Sequence, residues 1–258
     1  MSGSNAWKSA GSRLGDRQPA SAGFHATQPD DSIVRRSAAF DSVAQSYDRD
    51  FTHTALGRAL RERAWRRLVH RFPPGSRVLE LNCGTGEDAA YLAARAVSVL
   101  ATDRSEGMLA VARRKTAGLP VEVARLDLSL PALPPSTLTL PPFDGAFSNF
   151  AGLNCIADLR RLACSLAEWL KPGASVIFVV MGPICLWEIA WYLFHLRPGR
   201  AFWRFSRFGA LARIGGQIVR VYCPWAGELS RTCAPEFRVT RLAGLGVALP
   251  PSLMAGVM

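Results

Sequence analysis

The chain has 258 residues, 49% of them hydrophobic, enough to bury one sizeable α/β core. Its formal charge is +11, from 31 basic against 20 acidic residues, and since only Lys8, Lys115 and Lys171 are lysines, 28 of the basic residues are arginine. The six cysteines (Cys83, Cys155, Cys164, Cys185, Cys223, Cys233) match neither a zinc site nor a CxxC redox pair. No apolar stretch of about 7–15 residues lies near the first residue, as a secretory signal would require. A reduced, cytoplasmic protein without a metal site is the expectation.

Residues 1–38 are dominated by Ser, Gly, Ala, Asp, Arg and Pro without a periodic apolar face, and are expected to form a disordered leader to a single domain over 39–258. Phe40-Asp41-Ser42-Val43-Ala44-Gln45-Ser46-Tyr47-Asp48 follows, then Leu56 to Leu68 with apolar residues at helical spacing. Val78-Leu79-Glu80-Leu81-Asn82-Cys83-Gly84-Thr85-Gly86-Glu87-Asp88-Ala89 reads as a buried strand, a small-residue turn and the start of a helix. Seventeen residues after Gly86, a second apolar run from Val97 to Thr102 ends in Asp103. A carboxylate there can accept both protons of a ribose diol, which points to a nucleoside cofactor at the carboxyl edge of a parallel sheet.

Two cofactor classes fit that outline. Gly84 to Ala89 satisfies a loose G-x-G-x-x-A dinucleotide pattern. A pyrophosphate needs positive potential, however, and Glu80, Glu87 and Asp88 surround this turn. The same acids suit an ammonium group and a sulfonium.

Glu80-Leu81-Asn82-Cys83-Gly84-Thr85-Gly86 resembles the first motif of class I S-adenosylmethionine-dependent methyltransferases, E/D-x-G-x-G-x-G, with Asn82 in place of the first glycine. Asparagine tolerates positive φ better than most residues. Asp103-Arg104-Ser105-Glu106-Gly107-Met108-Leu109 resembles the family's D-x-S-x-x-M-L segment, and Leu126-Asp127-Leu128 its acidic adenine turn. Residues 143–150 resemble its fourth strand, and Leu170-Lys171-Pro172-Gly173-Ala174 with the run 175–180 its L-K-P-G-G turn and fifth strand. Phe40 to Asp48 resembles the F-D-x-x-A-x-x-Y-D lead-in of its small-molecule members.

The resemblance implies an α/β, Rossmann-like, doubly wound and mainly parallel sheet with helices on both faces. It implies S-adenosylmethionine as cofactor, held by Tyr47, Glu80, Asn82, Gly84, Gly86, Asp103, Arg104, Met108, Asp127, Leu128 and Asn149. Taken singly these residues have plainer readings: Asp103 as a helix N-cap, Met108 as core filler, Tyr47 as a ring packed under a helix.

Residues 175–196 are apolar enough to suggest a membrane span. Gly182-Pro183 interrupts them and Glu188 would be costly at mid-bilayer, so a strand, a break and an amphipathic helix are expected instead. In the family, an insertion after the fifth strand covers the methyl group, and residues 183–225 are assigned to it. Glu188, Trp191, Tyr192 and His195 share one helical face, and Trp187, Trp191 and Tyr192 are candidate substrate contacts. Glu188 and His195 are candidate proton acceptors; the alternative is a helix packing its aromatic rings on the core.

From residue 183 onward there are nine Arg and three Glu, a local excess of +6. That charge suits an anionic small molecule, RNA or a membrane surface. A helix is expected over 226–233 and a sixth strand over 237–242, with no candidate for the family's closing antiparallel strand and a chain that ends as if truncated. The expected function is methyl transfer to a small aromatic or hydrophobic metabolite by in-line displacement. RNA methylation and non-catalytic cofactor binding are the alternatives. Acceptor atom and oligomeric state are left open.

Overall fold

The computed structural model describes residues 38–133, 141–150 and 152–248. All but the last residue of the expected leader lies outside them.

Five strands form one sheet: β1 (Arg77–Leu81), β2 (Ser98–Asp103), β3 (Val121–Arg125), β4 (Phe143–Ser148) and β5 (Leu170–Phe178). Their order is β3-β2-β1-β4-β5 and every pairing is parallel. A sheet covered on both faces selects strands that are apolar at successive positions, and Val78, Leu79 and Leu81 of β1 are all fully buried. On one face lie α2 (Ala55–Arg71), α3 (Glu87–Ala93) and α4 (Glu106–Lys115), contributing Leu68, Leu92 and Leu109 to the core. On the other lies α5 (Arg160–Trp169), whose Leu162, Leu166 and Trp169 pack beside Leu79, Leu81 and Phe143. The chain order reverses between β1 and β4, so the loops leaving these strands diverge and open a crevice at the carboxyl edge.

Beyond β5 come α6 (Leu186–Phe194), the short α7 (Pro198–Ala201), a hairpin of β6 (Ala210–Ile214) and β7 (Gln217–Val221), and α8 (Ala226–Cys233). Gly215 and Gly216 both have positive φ (53° and 77°), the backbone a two-residue hairpin turn requires. The hairpin packs Val219 and Val221 on Ala39 of the helical residues 38–43 (α1). Asn154 fastens this roof to the sheet: its amide nitrogen donates to the Met181 and Tyr222 carbonyls at 2.8 and 2.6 Å, and its oxygen accepts from Met181 N at 2.9 Å.

Residues 237–242, expected as a sixth strand, are irregular. A strand needs a hydrogen-bonding neighbour, and this segment is tied elsewhere. Glu236 pairs with Arg160 at its start, and Val247 O accepts from Leu186 N at its end, at 2.9 Å. Val239 and Leu242 are left exposed, and among the described residues β5 is the sheet's outermost strand on that side.

The N-terminal segment is latched to α4 and to the turn after β1 through two aspartates seven residues apart. Asp41 accepts from Ser105 Oγ (2.6 Å) and Gly107 N (2.8 Å) at the start of α4. Asp48 accepts from Thr85 Oγ1 and Lys115 Nζ, both at 2.6 Å, while Lys115 also reaches Glu87 at 2.8 Å. Burial pushes the Asp48 carboxyl up, but hydrogen bonds from Lys115 and Thr85 outweigh this and hold it below its ordinary value. A depressed carboxyl contributes stability above its unfolded pKa and loses it as pH falls through the folded one. Asp48→Asn is therefore expected to cost about 1 kcal/mol at pH 7 in urea unfolding. The difference from the wild type should narrow as pH falls through the folded-state pKa, which lies below the ordinary aspartate value.

Candidate cofactor and acceptor site

β1 and β2 deliver their last residues to the crevice side by side, and Cys83 N donates to Thr102 O at 2.7 Å to hold the turn against β2. Asp103 accepts from Gly84 N through one oxygen and from Ser105 N through the other, each at 2.9 Å. Burial raises its pKa, and the backbone donors partly offset that. The Arg104 amide is a third backbone donor to it; a carboxylate has about four acceptor sites, so the group is placed and keeps acceptor capacity for a ribose hydroxyl. No heavy atom lies within 4 Å of where a Cβ on Gly84 would stand, which leaves open space over the turn.

Gly86 serves a different purpose. A Cβ there would stand 2.9 Å from the Ala112 Cβ, so this glycine lets α3 approach α4. Asn82 adopts φ 51°, the backbone its motif position demands. Its side chain crosses to β4, donating to Asn149 O at 3.1 Å and accepting from Ser148 Oγ at 2.7 Å. It occupies the volume a Cβ on Gly152 would need.

Beneath the turn lies a buried polar network that sequence reading missed. Asp88, 3% exposed, accepts from Arg61 Nη1 (2.7 Å) and Trp65 Nε1 (2.6 Å) through one oxygen and from Asn149 Nδ2 (3.0 Å) through the other. Arg61 also lies 4.9 Å from the centre of the Phe150 ring. Glu80 is 1% exposed, and burial, then the nearby Asp88 charge, pushes its carboxyl well above the usual range. Burial likewise raises the Cys83 thiol, which argues against a nucleophilic role. Tyr47 packs edge-on to Phe51, and burial pushes its phenol up to about 12.

One cavity of about 1400 Å³ runs from these loops to the underside of the hairpin. Its walls include Tyr47, Asn82, Gly84, Asp103, Arg104, Met108, Asp127, Leu128 and Asn149; Glu80 and Gly86 lie behind the wall. Arg104 and Asp127 pair at 3.6 Å across the end nearest β3. The far limb is formed by Phe178, Met181, Tyr192, Leu229 and Phe237 among others.

Of the helix-face candidates, Glu188 and Tyr192 reach the cavity, whereas Trp187, Trp191 and His195 do not. Trp187 stacks on Trp191, and the His195 ring lies tilted against Trp191 with its Nδ1 2.8 Å from Trp191 O on the exposed side. Four residues spaced for one face are thus divided: His195 is the C-cap beyond the end of α6, and the Trp191 ring packs between Trp187 and His195. Both Glu188 oxygens are engaged, one by Trp203 Nε1 and the other by Arg204 Nη2, each at 2.5 Å.

A glycine turn at a topological switch point, a carboxylate placed at the end of β2, and a cavity of about 1400 Å³ beside them are the features of a class I, Rossmann-like cofactor site. The comparisons with known proteins agree. A family described as Methyltransferase domain matches residues 78–173. The demethylmenaquinone methyltransferase of Symbiobacterium thermophilum is 30% identical over 203 residues, covering 72% of this chain and 68% of that protein. That of Clavibacter sepedonicus is 37% identical over 146 residues, covering 55% and 56%. The chain therefore spans little more than half the length of the latter. Among solved structures, the DhpI complex with S-adenosylhomocysteine superposes with a TM-score of 0.54 at 20% identity, covering 79% of this chain and 86% of that one. A methyltransferase from Mesorhizobium loti gives 0.50 at 21% identity, covering 70% and 82%. The chain belongs to the class I S-adenosylmethionine-dependent methyltransferases.

Two outcomes follow from this geometry. Asp103→Ala should weaken S-adenosylhomocysteine binding about thirtyfold in calorimetry, the loss of a charge-assisted hydrogen-bond set. Glu188→Gln leaves the buried Arg204 charge uncompensated and should lower stability by about 3 kcal/mol in urea unfolding. Glu188→Gln combined with Arg204→Met should recover most of that loss.

Proposed function

We propose that this protein transfers a methyl group from S-adenosylmethionine to a small, apolar, ring-bearing acceptor of the quinol type. The observation that carries the reading is the shape of the cavity. One ligand occupies roughly 300–1000 Å³, and about 1400 Å³ leaves room for a second molecule beyond the nucleoside end. That second space is walled in part by Phe178, Met181, Leu229 and Phe237, which suit a ring or an isoprenoid chain. The relatives' names, demethylmenaquinone methyltransferase in two cases, point the same way.

Bound S-adenosylmethionine supplies a methyl group already activated by its sulfonium. The task of the chain's own residues is to position the two reactants and exclude water. Asp103 is assigned to the ribose hydroxyls, Arg104, Met108, Asp127 and Leu128 to the adenine, and Asn82, Gly84 and Asn149 to the methionine portion. Tyr47 covers the nucleoside, and Glu80 and Gly86 shape the turn from behind. Residues 183–225 form the cover over the acceptor within a single domain spanning 39–258. Glu188 acts there by holding Trp203 and Arg204 in place, and Tyr192 contacts the acceptor. The six free thiols support a reducing, cytoplasmic compartment.

The test is incubation of the purified chain with methyl-labelled S-adenosylmethionine and a demethylated naphthoquinol in detergent micelles, beside a single-stranded RNA of mixed sequence. Label in the quinol alone is the expected result, with His195→Ala leaving the rate within about twofold because the ring lies outside the cavity. Label in RNA alone would overturn the reading. Tight S-adenosylhomocysteine binding without transfer to the quinol would overturn it in favour of a non-catalytic cofactor-binding protein.

A further inference from the structure

The part of the chain between α6 and α8 has a surface that the site does not account for. Phe194, Leu196 and Phe208 are 84%, 88% and 83% exposed, values unlike those of packed apolar residues. They fall within a short continuous stretch that also presents Phe202 and Phe205, and Phe205 continues edge-on to the half-exposed Trp225 at 5.8 Å. The hairpin adds exposed Leu211 and Ile218, and Arg220 fastens it to the same stretch through Phe208 O at 2.8 Å.

Charge along residues 189–227 has one sign, the exposed Glu228 being the first acid beyond it. Between residues 189 and 227 there is no Asp or Glu and there are six arginines. The acid just before that interval, Glu188, is buried and paired with Arg204, so Arg197, Arg200, Arg207, Arg213 and Arg220 remain exposed with no acid of their own segment to neutralise them. Leu211, Arg200 and Arg213 also belong to the cavity wall, so the apolar, basic face and the mouth of the cavity are continuous.

We infer that this face docks on an anionic lipid surface, with the α6–α7 corner and the hairpin seated in the headgroup layer and the cavity mouth turned toward the lipid. Exposed Phe and Leu flanked by arginine match both layers of such a surface: acyl chains for the rings and branched chains, phosphates for the guanidinium groups. RNA would satisfy the arginines and stack on the phenyl rings, but it has no use for Leu196, Leu211 and Ile218, which cannot stack on bases. No helix among the described residues is long and apolar enough to cross a membrane, so the contact is with the surface of one leaflet. The inference goes beyond the acceptor reading and does not depend on it. A lipid-soluble acceptor would reach the cavity without passing through water.

The test is sedimentation with sucrose-loaded vesicles of phosphatidylcholine, with and without one-third phosphatidylglycerol, in the absence of cofactor and acceptor. Binding should be confined largely to the anionic vesicles and should fall with salt. Arg197→Gln with Arg207→Gln should weaken it about thirtyfold. Phe194→Ser with Leu196→Ser should weaken it at least about tenfold. Unchanged S-adenosylhomocysteine binding by both variants shows that they fold. Equal binding to neutral vesicles, or binding indifferent to these substitutions, would overturn the inference, as would binding to single-stranded RNA with none to either vesicle. Because neither cofactor nor acceptor is present, failure here leaves the methyl-transfer reading intact. Failure of the quinol assay likewise leaves vesicle binding to stand or fall by itself.

Discussion

Asp88 is a carboxylate taken out of water, and such a group survives only if donors surround it. It stands in the first turn of α3, where the helix dipole favours a negative charge. Its three donors come from α2 (Arg61 and Trp65) and from the residue following β4 (Asn149). One buried charge therefore sets the separation of three elements that would otherwise meet only through apolar contacts, which tolerate sliding. The cofactor turn lies directly above this junction. Asn82, bridging from the end of β1 to Ser148 and Asn149, extends the same network into the cavity wall.

Around that fixed centre the molecule is closed by latches of lower stakes. Asp41 and Asp48 tie the N-terminal segment to the starts of the two loops that face the cofactor, using partly exposed groups whose hydrogen bonds can be exchanged for water. The hairpin rests on the same segment, and Asn154 joins it to the end of β5. The roof of the cavity thus combines the first described residues of the chain with a hairpin from its last quarter. A cover held by exchangeable polar contacts over a rigid floor suits a transferase that admits two reactants and releases two products.

The polarity of the cavity divides the chemistry. At one end, carboxylates are positioned by backbone amides, a geometry that is worth its desolvation cost only if a polar ligand completes it. At the other end, aromatic and aliphatic walls offer shape, the Glu188–Arg204 pair neutralises itself, and Arg200, Arg213, Arg238 and Arg241 add positive charge to the lining. Methyl transfer from an activated donor asks for little more than alignment, so discrimination among acceptors falls to the walls of the cavity.

What the sequence determined was the part governed by local chemistry: the continuous burial of β1, the small-residue turn, the acid closing β2, and the Gly-Gly hairpin turn. That turn was legible from two glycines between alternating apolar residues, although the segment was read only as a cover. The lead-in pattern was likewise visible while the work of its two aspartates was not, since their partners lie 37 or more residues away. Tertiary structure alone decided that Asp88 is a junction, that Glu80 and Gly86 stand behind the wall, and that residues 237–242 are not a strand. It also divided Glu188 and Tyr192 from Trp187, Trp191 and His195, which periodicity had grouped in part. The reason is common to all of these. A turn or a strand face is specified by residues a few positions apart, whereas a buried charge, a sheet edge or a cavity wall exists only once distant segments have displaced the water between them.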